Sequence, residues 1–193
     1  MRSPRPVLAG LIGVLALSGC ADAASTASVS PTSSSTRDVQ VSATFTTTAG
    51  VAVTYDEVLV PAGTRGAVSS RSGEGSATVM LALRGLEPER RYGAHVHSEP
   101  CGETGADAGP HFQYEVDPVQ PSVDPQYANP DNEIWLDLTT DGTGAGSAET
   151  TVAWEFPDDR RPGSVVIHAM PTATGPGEAG TAGDRAACIT VDF

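Results

Sequence analysis

Histidine is the residue type with the most obvious chemistry in this sequence, which contains four. His95 and His97 lie two residues apart in a β-rich run, so both imidazoles would point to the same face of a strand. His168 follows the apolar residues 165–167, and His111 lies in a long polar loop. A single histidine is more often structural than a ligand, whereas a His-x-His pair on a strand offers two converging imidazoles. Four neutral imidazoles, with no thiolate or carboxylate in these motifs, suit Cu(II), and Zn(II) is the competitor.

The elements that must position these histidines are short β-rich runs separated by turn residues. Many of the runs alternate apolar and polar residues, whereas helical periodicity is hard to find. This pattern predicts an antiparallel sandwich or barrel. Two stretches, 98–132 and 171–184, are long for loops of a compact domain, and such loops are usually functional or disordered. The predicted strands are 39–48, 51–55, 77–83, 92–97, 133–139, 149–156, 165–170 and 187–193.

The first residues have the form of an export signal. Arg2 and Arg5 precede an apolar stretch, 7–17, which is too short to span a bilayer. The stretch ends in Leu-Ser-Gly-Cys, which resembles a lipobox whose Cys20 would receive the lipid. An ordinary signal peptide with a chance cysteine is the alternative.

Domain organisation follows from this leader. Residues 1–19 are predicted to be the signal peptide and 20–38 a lipidated tether, because its Ala, Ser and Thr cannot bury enough surface to offset their ordering entropy. Residues 39–193 are long enough for one β domain. The protein is therefore expected to be an exported cell-membrane lipoprotein that faces the extracytoplasmic side.

Charge narrows the range of partners. The formal net charge is −13, and every basic residue other than histidine is an arginine. An acidic domain without a basic patch argues against nucleic acid and anionic lipid headgroups as partners, so contact with the membrane is expected through the lipid anchor only.

Two cysteines remain if Cys20 carries a lipid. Cys101 and Cys188 form an even pair in an exported chain, which favours a disulfide. Two free buried thiols are the alternative.

Several motifs resemble, in the same order, segments of the copper/zinc superoxide dismutase superfamily. They are GLEP (85–88), GAHVH (93–97), GPHF (109–112), VIHA (166–169) and AGDRAAC (182–188). Together they cover about 77–193, and the chain is identified as a member of that superfamily. The resemblance implies an all-β fold, a Greek-key eight-stranded β-barrel or sandwich of immunoglobulin-like type with two long functional loops.

The resemblance also implies the site. The copper ligands would be four histidines: His95, His97, His111 and His168. His111 would take the place of the histidine that bridges copper and zinc, and would act catalytically by binding and releasing a proton. Arg185 would be the second catalytic residue, which receives the superoxide anion. Cys101 and Cys188 would form the disulfide that pins the loop to the last strand.

The sequence departs from the family at the zinc site. No histidine remains for the two further zinc positions, and Asn132 stands about where the zinc aspartate is expected. Asp117, Asp124 and Asp131 offer only scattered carboxylates for a hard cation. We therefore expect one copper ion and no zinc, as in the copper-only bacterial lipoprotein members. His111 would then need another partner to orient it.

The predicted function is copper-dependent dismutation of superoxide to dioxygen and hydrogen peroxide at the cell envelope. Arg185 would act alone against a negative field, because no other basic residue lies between it and His168. The alternative is an envelope lipoprotein that sequesters or delivers copper without significant turnover. That role needs the histidines but not the Arg-x-x-Cys element. A purely structural sandwich would require all four histidines to be relics.

Overall fold

Residues 36–193 are described in the computed structural model of this protein. They form two antiparallel sheets, and the strands are numbered here in chain order. The predicted signal peptide, Cys20 and the tether up to residue 35 lie outside the described residues. The first sheet contains, in spatial order, β1 (Arg37–Thr44), β3 (Arg65–Gly73), β4 (Ser76–Arg84) and β7 (Ala145–Val152). The second contains β2 (Ala52–Thr54), β9 (Arg185–Thr190), β8 (Ser164–His168), β5 (Arg91–His97) and β6 (Leu138–Thr139).

Consecutive strands are divided between the two sheets, as a Greek-key sandwich requires. β3 and β4 are neighbours in the first sheet, the chain then crosses to β5, and β7 returns to pair with β4. The predicted all-β Greek-key sandwich is confirmed, with two separate sheets rather than a closed barrel. The described residues form nine strands instead of eight, and two of them, β2 and β6, have only three and two residues.

One apolar core fills the space between the sheets. Its side chains come from alternate positions of both sheets and from the end of the chain, where Phe193 is 1% exposed. Among the largest fully buried side chains are Tyr92, Phe45, Phe112, Leu81, Leu83, Ile134, Leu136, Ile167 and Ile189. Burial of this apolar surface is the dominant favourable contribution to folding and holds both sheets in register.

The sequence did not predict β3, although it is among the longest strands. Three of its inward-facing residues, Gly66, Ser70 and Ser72, are small or polar. Alternation of large apolar and polar side chains is the signal for a half-buried strand, and it is weak here. The packing explains the composition, because a Cβ at Gly66 would lie 2.6 Å from the Ile189 side chain.

The predicted strand 133–139 is only partly regular. Its last two residues form β6, while 133–136 run beside β5 with irregular bridges, including one between His95 and Trp135. The two predicted long loops cover the outer face of the second sheet, and a short 3₁₀ helix (Gly105–Ala108) lies in the first of them. Within residues 36–193, no helix has the length and apolarity needed to cross a membrane.

Candidate metal centre

Two adjacent strands bring three histidines together. β5 and β8 pair antiparallel, with Gly93 opposite His168. Ala94 and Val96 of β5 point into the core, so His95 and His97 lie on the opposite, outer face of the sheet. The two loops cover this face, and all three histidines are at least 96% buried.

The fourth histidine reaches the cluster through the first loop. His111 forms an isolated antiparallel bridge with His97. The next residue, Phe112, is buried in the core and donates its backbone N–H to the carbonyl of Val96 at 2.9 Å. This hydrogen bond holds His111 beside β5. In the sequence, His111 lies fourteen residues after His97, the last residue of that strand.

Glycine permits the second loop to lie close to β5. The Gly93 N–H donates to the Met170 carbonyl at 2.8 Å, and a Cβ at Gly93 would lie 2.7 Å from the Ala182 Cβ. A larger residue would therefore push the loop away from the histidines.

The four imidazoles form a compact group. Their ligand nitrogens all lie within 4.8 Å of one another, and the Nε2 atoms of His97 and His168 are 3.4 Å apart. Burial lowers the pKa of His95 and His97 well below the usual value and lowers the pKa of His168 to about 3. The rings of His95, His97 and His168 are therefore neutral near pH 7, which is the form that binds a metal ion.

The hydrogen bonds of His97 and His168 show which ring nitrogen each residue could offer to a metal ion. The Nδ1 atoms of His97 and His168 bond to the carbonyls of Gly109 and Gly183, at 3.0 and 3.4 Å. A carbonyl only accepts, so each Nδ1 carries the proton and each Nε2 presents its lone pair to the group.

His95 is turned the other way. Its Nε2 bonds to the Thr172 hydroxyl at 2.7 Å, while its Nδ1 is buried and finds no hydrogen-bond partner among the described residues. A buried polar atom without a partner is costly, and a metal ion in the group would supply one. The donor set of four imidazoles therefore fits a transition-metal ion.

A buried carboxylate that the sequence analysis missed orients His111. Glu133 is 1% exposed, and its Oε2 accepts from the His111 Nδ1 at 2.7 Å and from the Trp135 indole at 2.7 Å. Its Oε1 accepts from the Gln113 amide at 2.8 Å. The signal in the sequence was the alternation of Glu133, Trp135 and Asp137 along a predicted strand, which places all three on the face that β5 uses for its histidines.

Arg185 borders the same cavity as two of the histidines. This cavity of about 240 Å³ is lined by, among others, His111, Glu133, His168 and Arg185. The guanidinium donates to the Gly105 carbonyl at 2.6 Å, and burial lowers its pKa. An arginine still remains charged at any physiological pH, so a fixed positive group lies beside the histidines.

The disulfide between Cys101 and Cys188 is present. It joins the first loop to β9, three residues after Arg185, and the Cys101 N–H donates to the Thr190 hydroxyl at 3.1 Å. The loop that carries the Gly105 carbonyl is thus tied to the strand that carries the arginine.

Three of the residues considered for a zinc site form hydrogen bonds within the loop itself. The Asn132 amide donates to the carbonyls of Glu115 and Tyr127, both at 2.8 Å. Asp117 accepts from the Ser122 hydroxyl at 2.7 Å, and Asp124 accepts from the Gln126 N–H at 2.9 Å. Among residues 36–193, the four histidines are the one group of three or more side chains arranged to hold a metal ion.

Comparisons with known proteins agree with the fold. No protein-family model matches the sequence, and no curated protein matches it. Among solved structures, the copper/zinc superoxide dismutase from Brucella abortus is 18% identical, with a TM-score of 0.54, and the match covers 82% of this chain and 100% of that one. A double mutant of a SOD-like protein from Bacillus subtilis is 15% identical with a TM-score of 0.49, over 65% of this chain and 87% of that one. The likeness to the Brucella abortus structure shows that the chain has the copper/zinc superoxide dismutase fold, and its histidine cluster and disulfide fit that fold.

Proposed function

We propose that the protein is a copper-only superoxide dismutase of the cell envelope. The observation that carries this proposal is the group of four histidines beside a cavity that is lined by His111, His168 and the fixed guanidinium of Arg185. The similar fold of the Brucella abortus enzyme supports the same activity. In the reaction one superoxide is oxidised to dioxygen, and a second is reduced and takes up two protons to become hydrogen peroxide.

Bound copper would supply the one-electron redox chemistry, and the ligands that would hold it are His95, His97, His111 and His168. Arg185 would bind the superoxide anion in the cavity by charge-assisted hydrogen bonds. Its donation to the Gly105 carbonyl holds the guanidinium in place, and the disulfide ties the neighbouring backbone to β9.

His111 is the residue that we propose moves a proton. Its Nδ1 is engaged by Glu133, so its Nε2 faces the other histidines and can accept or release a proton without rotation of the ring. His111 is the most exposed of the four, with 18% of its side chain accessible, which gives it contact with water. Glu133 thus takes the role of orienting His111, and we propose that no zinc is needed there.

We further propose that the enzyme reaches its place through its leader. The signal peptide 1–19 and a lipid on Cys20 would hold the domain at the outer face of the cell membrane, with 20–38 as a tether. Superoxide formed outside the cytoplasm would be the substrate, and the membrane would be contacted through the lipid only.

Storage or delivery of copper without turnover is the second candidate. It is favoured by the net charge of −13, which repels superoxide, and by the engagement of Arg185 with a backbone carbonyl. Electrostatic repulsion can lower association rates by about 10 to 1,000-fold.

Metal analysis and a superoxide assay on the same sample test both candidates. The full chain, loaded with copper and zinc, is compared with Arg185→Ala, His97→Ala and the control Arg71→Ala, which removes an exposed arginine on β3 in the other sheet. We expect one copper, no zinc and catalytic consumption of superoxide. Arg185→Ala should keep copper and lose at least about tenfold in rate, His97→Ala should lose copper, and the control should change neither.

Copper binding without consumption of superoxide would support the second candidate, storage or delivery of copper. Bound zinc would contradict the role proposed for Glu133, and retained copper in His97→Ala would contradict the ligand set.

A further inference from the structure

We propose that Thr172 and Asp137 form a positioning pair that fixes the tautomer of His95 and thereby makes Nδ1 the atom it offers to the metal. The proposal rests on the proposed function in one respect, that the four histidines hold copper. It assigns a role to two residues that lie outside the cluster and are not among those that line the cavity described above.

The hydrogen bonds around Thr172 determine which atom of His95 carries the proton. The Thr172 N–H donates to Asp137 Oδ2 at 2.8 Å, and the Thr172 hydroxyl donates to Asp137 Oδ1 at 2.5 Å. Since the hydroxyl proton is committed to the carboxylate, the hydroxyl oxygen can only accept from His95, whose Nε2 lies 2.7 Å away. His95 therefore carries its proton on Nε2 and its lone pair on Nδ1.

The hydroxyl is a necessary intermediary. The His95 Nε2 and the nearest Asp137 oxygen are 3.9 Å apart, which is too long for a hydrogen bond. Thr172 closes this gap and also anchors the start of the second loop, since both of its polar groups bond to the same carboxylate.

The pair matters because the ring of His95 has no freedom to compensate. It is 1% exposed, and the edge of the Trp135 indole packs against it with ring centroids 5.9 Å apart. A proton on Nδ1 instead of Nε2 would place an N–H in the group to which His97 and His168 present their lone pairs. Groups that fix a ligand histidine in this way typically contribute about 10 to 100-fold to metal affinity.

Asp137 also completes a pattern along one segment. Glu133, Trp135 and Asp137 alternate, so they lie on the same side of an extended chain beside β5. Glu133 orients His111 directly, and Asp137 orients His95 through Thr172. One short segment thus positions two of the four proposed ligands.

The test uses the full chain and three variants. Thr172→Val removes the hydroxyl at nearly constant shape, Thr172→Ser restores it, and Asp137→Asn removes the charge and one of the two acceptors. Asp131→Asn is the control, because it makes the same charge change at an exposed residue of the first loop. Three quantities are measured: the His95 tautomer by ¹H–¹⁵N correlation NMR of the metal-free protein, Cu(II) affinity by chelator competition, and the Cu(II) EPR spectrum.

We expect the Nε2–H tautomer for His95 in the parent chain. Thr172→Val and Asp137→Asn should lower Cu(II) affinity by about 10 to 100-fold and alter the EPR spectrum. Thr172→Ser and Asp131→Asn should resemble the parent. The double variant Thr172→Val/Asp137→Asn should be little worse than either single variant, because both remove the same support.

An Nδ1–H tautomer in the parent chain would overturn the proposal, as would unchanged affinity and EPR spectrum in Thr172→Val. The tautomer measurement needs neither copper nor turnover. If the parent binds copper but does not consume superoxide, the dismutase function fails while these results still decide the role of Thr172 and Asp137.

Discussion

Replacement of Glu133 by Gln tests whether a buried carboxylate supports the candidate metal centre. The carboxylate accepts from three donors, on His111, Gln113 and Trp135. A glutamine has one acceptor oxygen, so at least one buried N–H must face its NH₂ group. Gln113 cannot rotate its amide to help, because its oxygen already accepts from the Asp117 N–H at 3.0 Å.

The magnitude follows from these contacts. A buried donor without a partner costs about 1–3 kcal/mol, and a neutral hydrogen bond is about 1 kcal/mol weaker than one to a charged group. Removal of the buried charge offsets part of this loss, because a buried carboxylate carries a desolvation penalty. We expect Glu133→Gln to lower the free energy of unfolding of the metal-free protein by about 2–4 kcal/mol.

Urea unfolding of chelator-treated protein, with the disulfide intact, measures this change. Glu149→Gln is the control, since Glu149 is exposed on β7 and loses the same charge. Copper affinity of Glu133→Gln should also fall, by about 10 to 100-fold, because His111 loses the group that orients it. The reasoning is refuted if Glu133→Gln unfolds within about 0.5 kcal/mol of the parent and of the control.

Three further predictions concern stability. Cys101→Ser/Cys188→Ser should lower the free energy of unfolding by about 4–5 kcal/mol, because the bond closes a loop with a sequence separation of 87 residues; a loss under 1 kcal/mol in urea would contradict this. The metal-free protein should lose stability as the pH falls from about 6.5, the unfolded pKa of histidine, towards about 3, the folded pKa of His168, because the unfolded chain binds more protons there. His97, whose pKa is also lowered, adds to this loss of stability. Each histidine contributes at most about 1.4 kcal/mol per pH unit. A free energy of unfolding that does not change with pH in urea experiments would show that these rings are not buried in the neutral form. Leu81→Ala should lower the free energy of unfolding by about 2–5 kcal/mol, because Leu81 is fully buried in the core. Copper affinity should stay unchanged, and a fall in copper affinity alongside the loss of stability would mean that the core and the metal centre are coupled.

Local sequence carried the information for part of the site. The spacing of His95 and His97 is two residues, which is the period of a strand, so their convergence could be predicted before any fold was known. Cys101 and Cys188 were paired from their even number and the expected compartment, and the structure contains that disulfide. The order of the motifs indicated the superfamily fold, which the structure confirms.

The local sequence pattern did not predict the structure correctly in two segments. β3 was missed because Ser70 and Ser72 occupy buried positions that usually hold large apolar residues. The regular strand expected over 133–139 is mostly an irregular segment. The Glu133 N–H donates to the Asn129 carbonyl of its own loop, and the Trp135 carbonyl accepts from the Thr150 hydroxyl, so neither group takes part in a regular ladder.

The sequence by itself predicted the all-β class, the four candidate metal ligands and the pairing of the cysteines, because these depend on residue type, on a spacing of two and on order along the chain. Only the tertiary structure decided how the candidate ligands are oriented. Glu133 contacts His111 across 22 residues, and Thr172 contacts His95 across 77. Such contacts arise from the registers of β5, β8 and the loops above them, and no periodicity within a strand encodes a partner that distant.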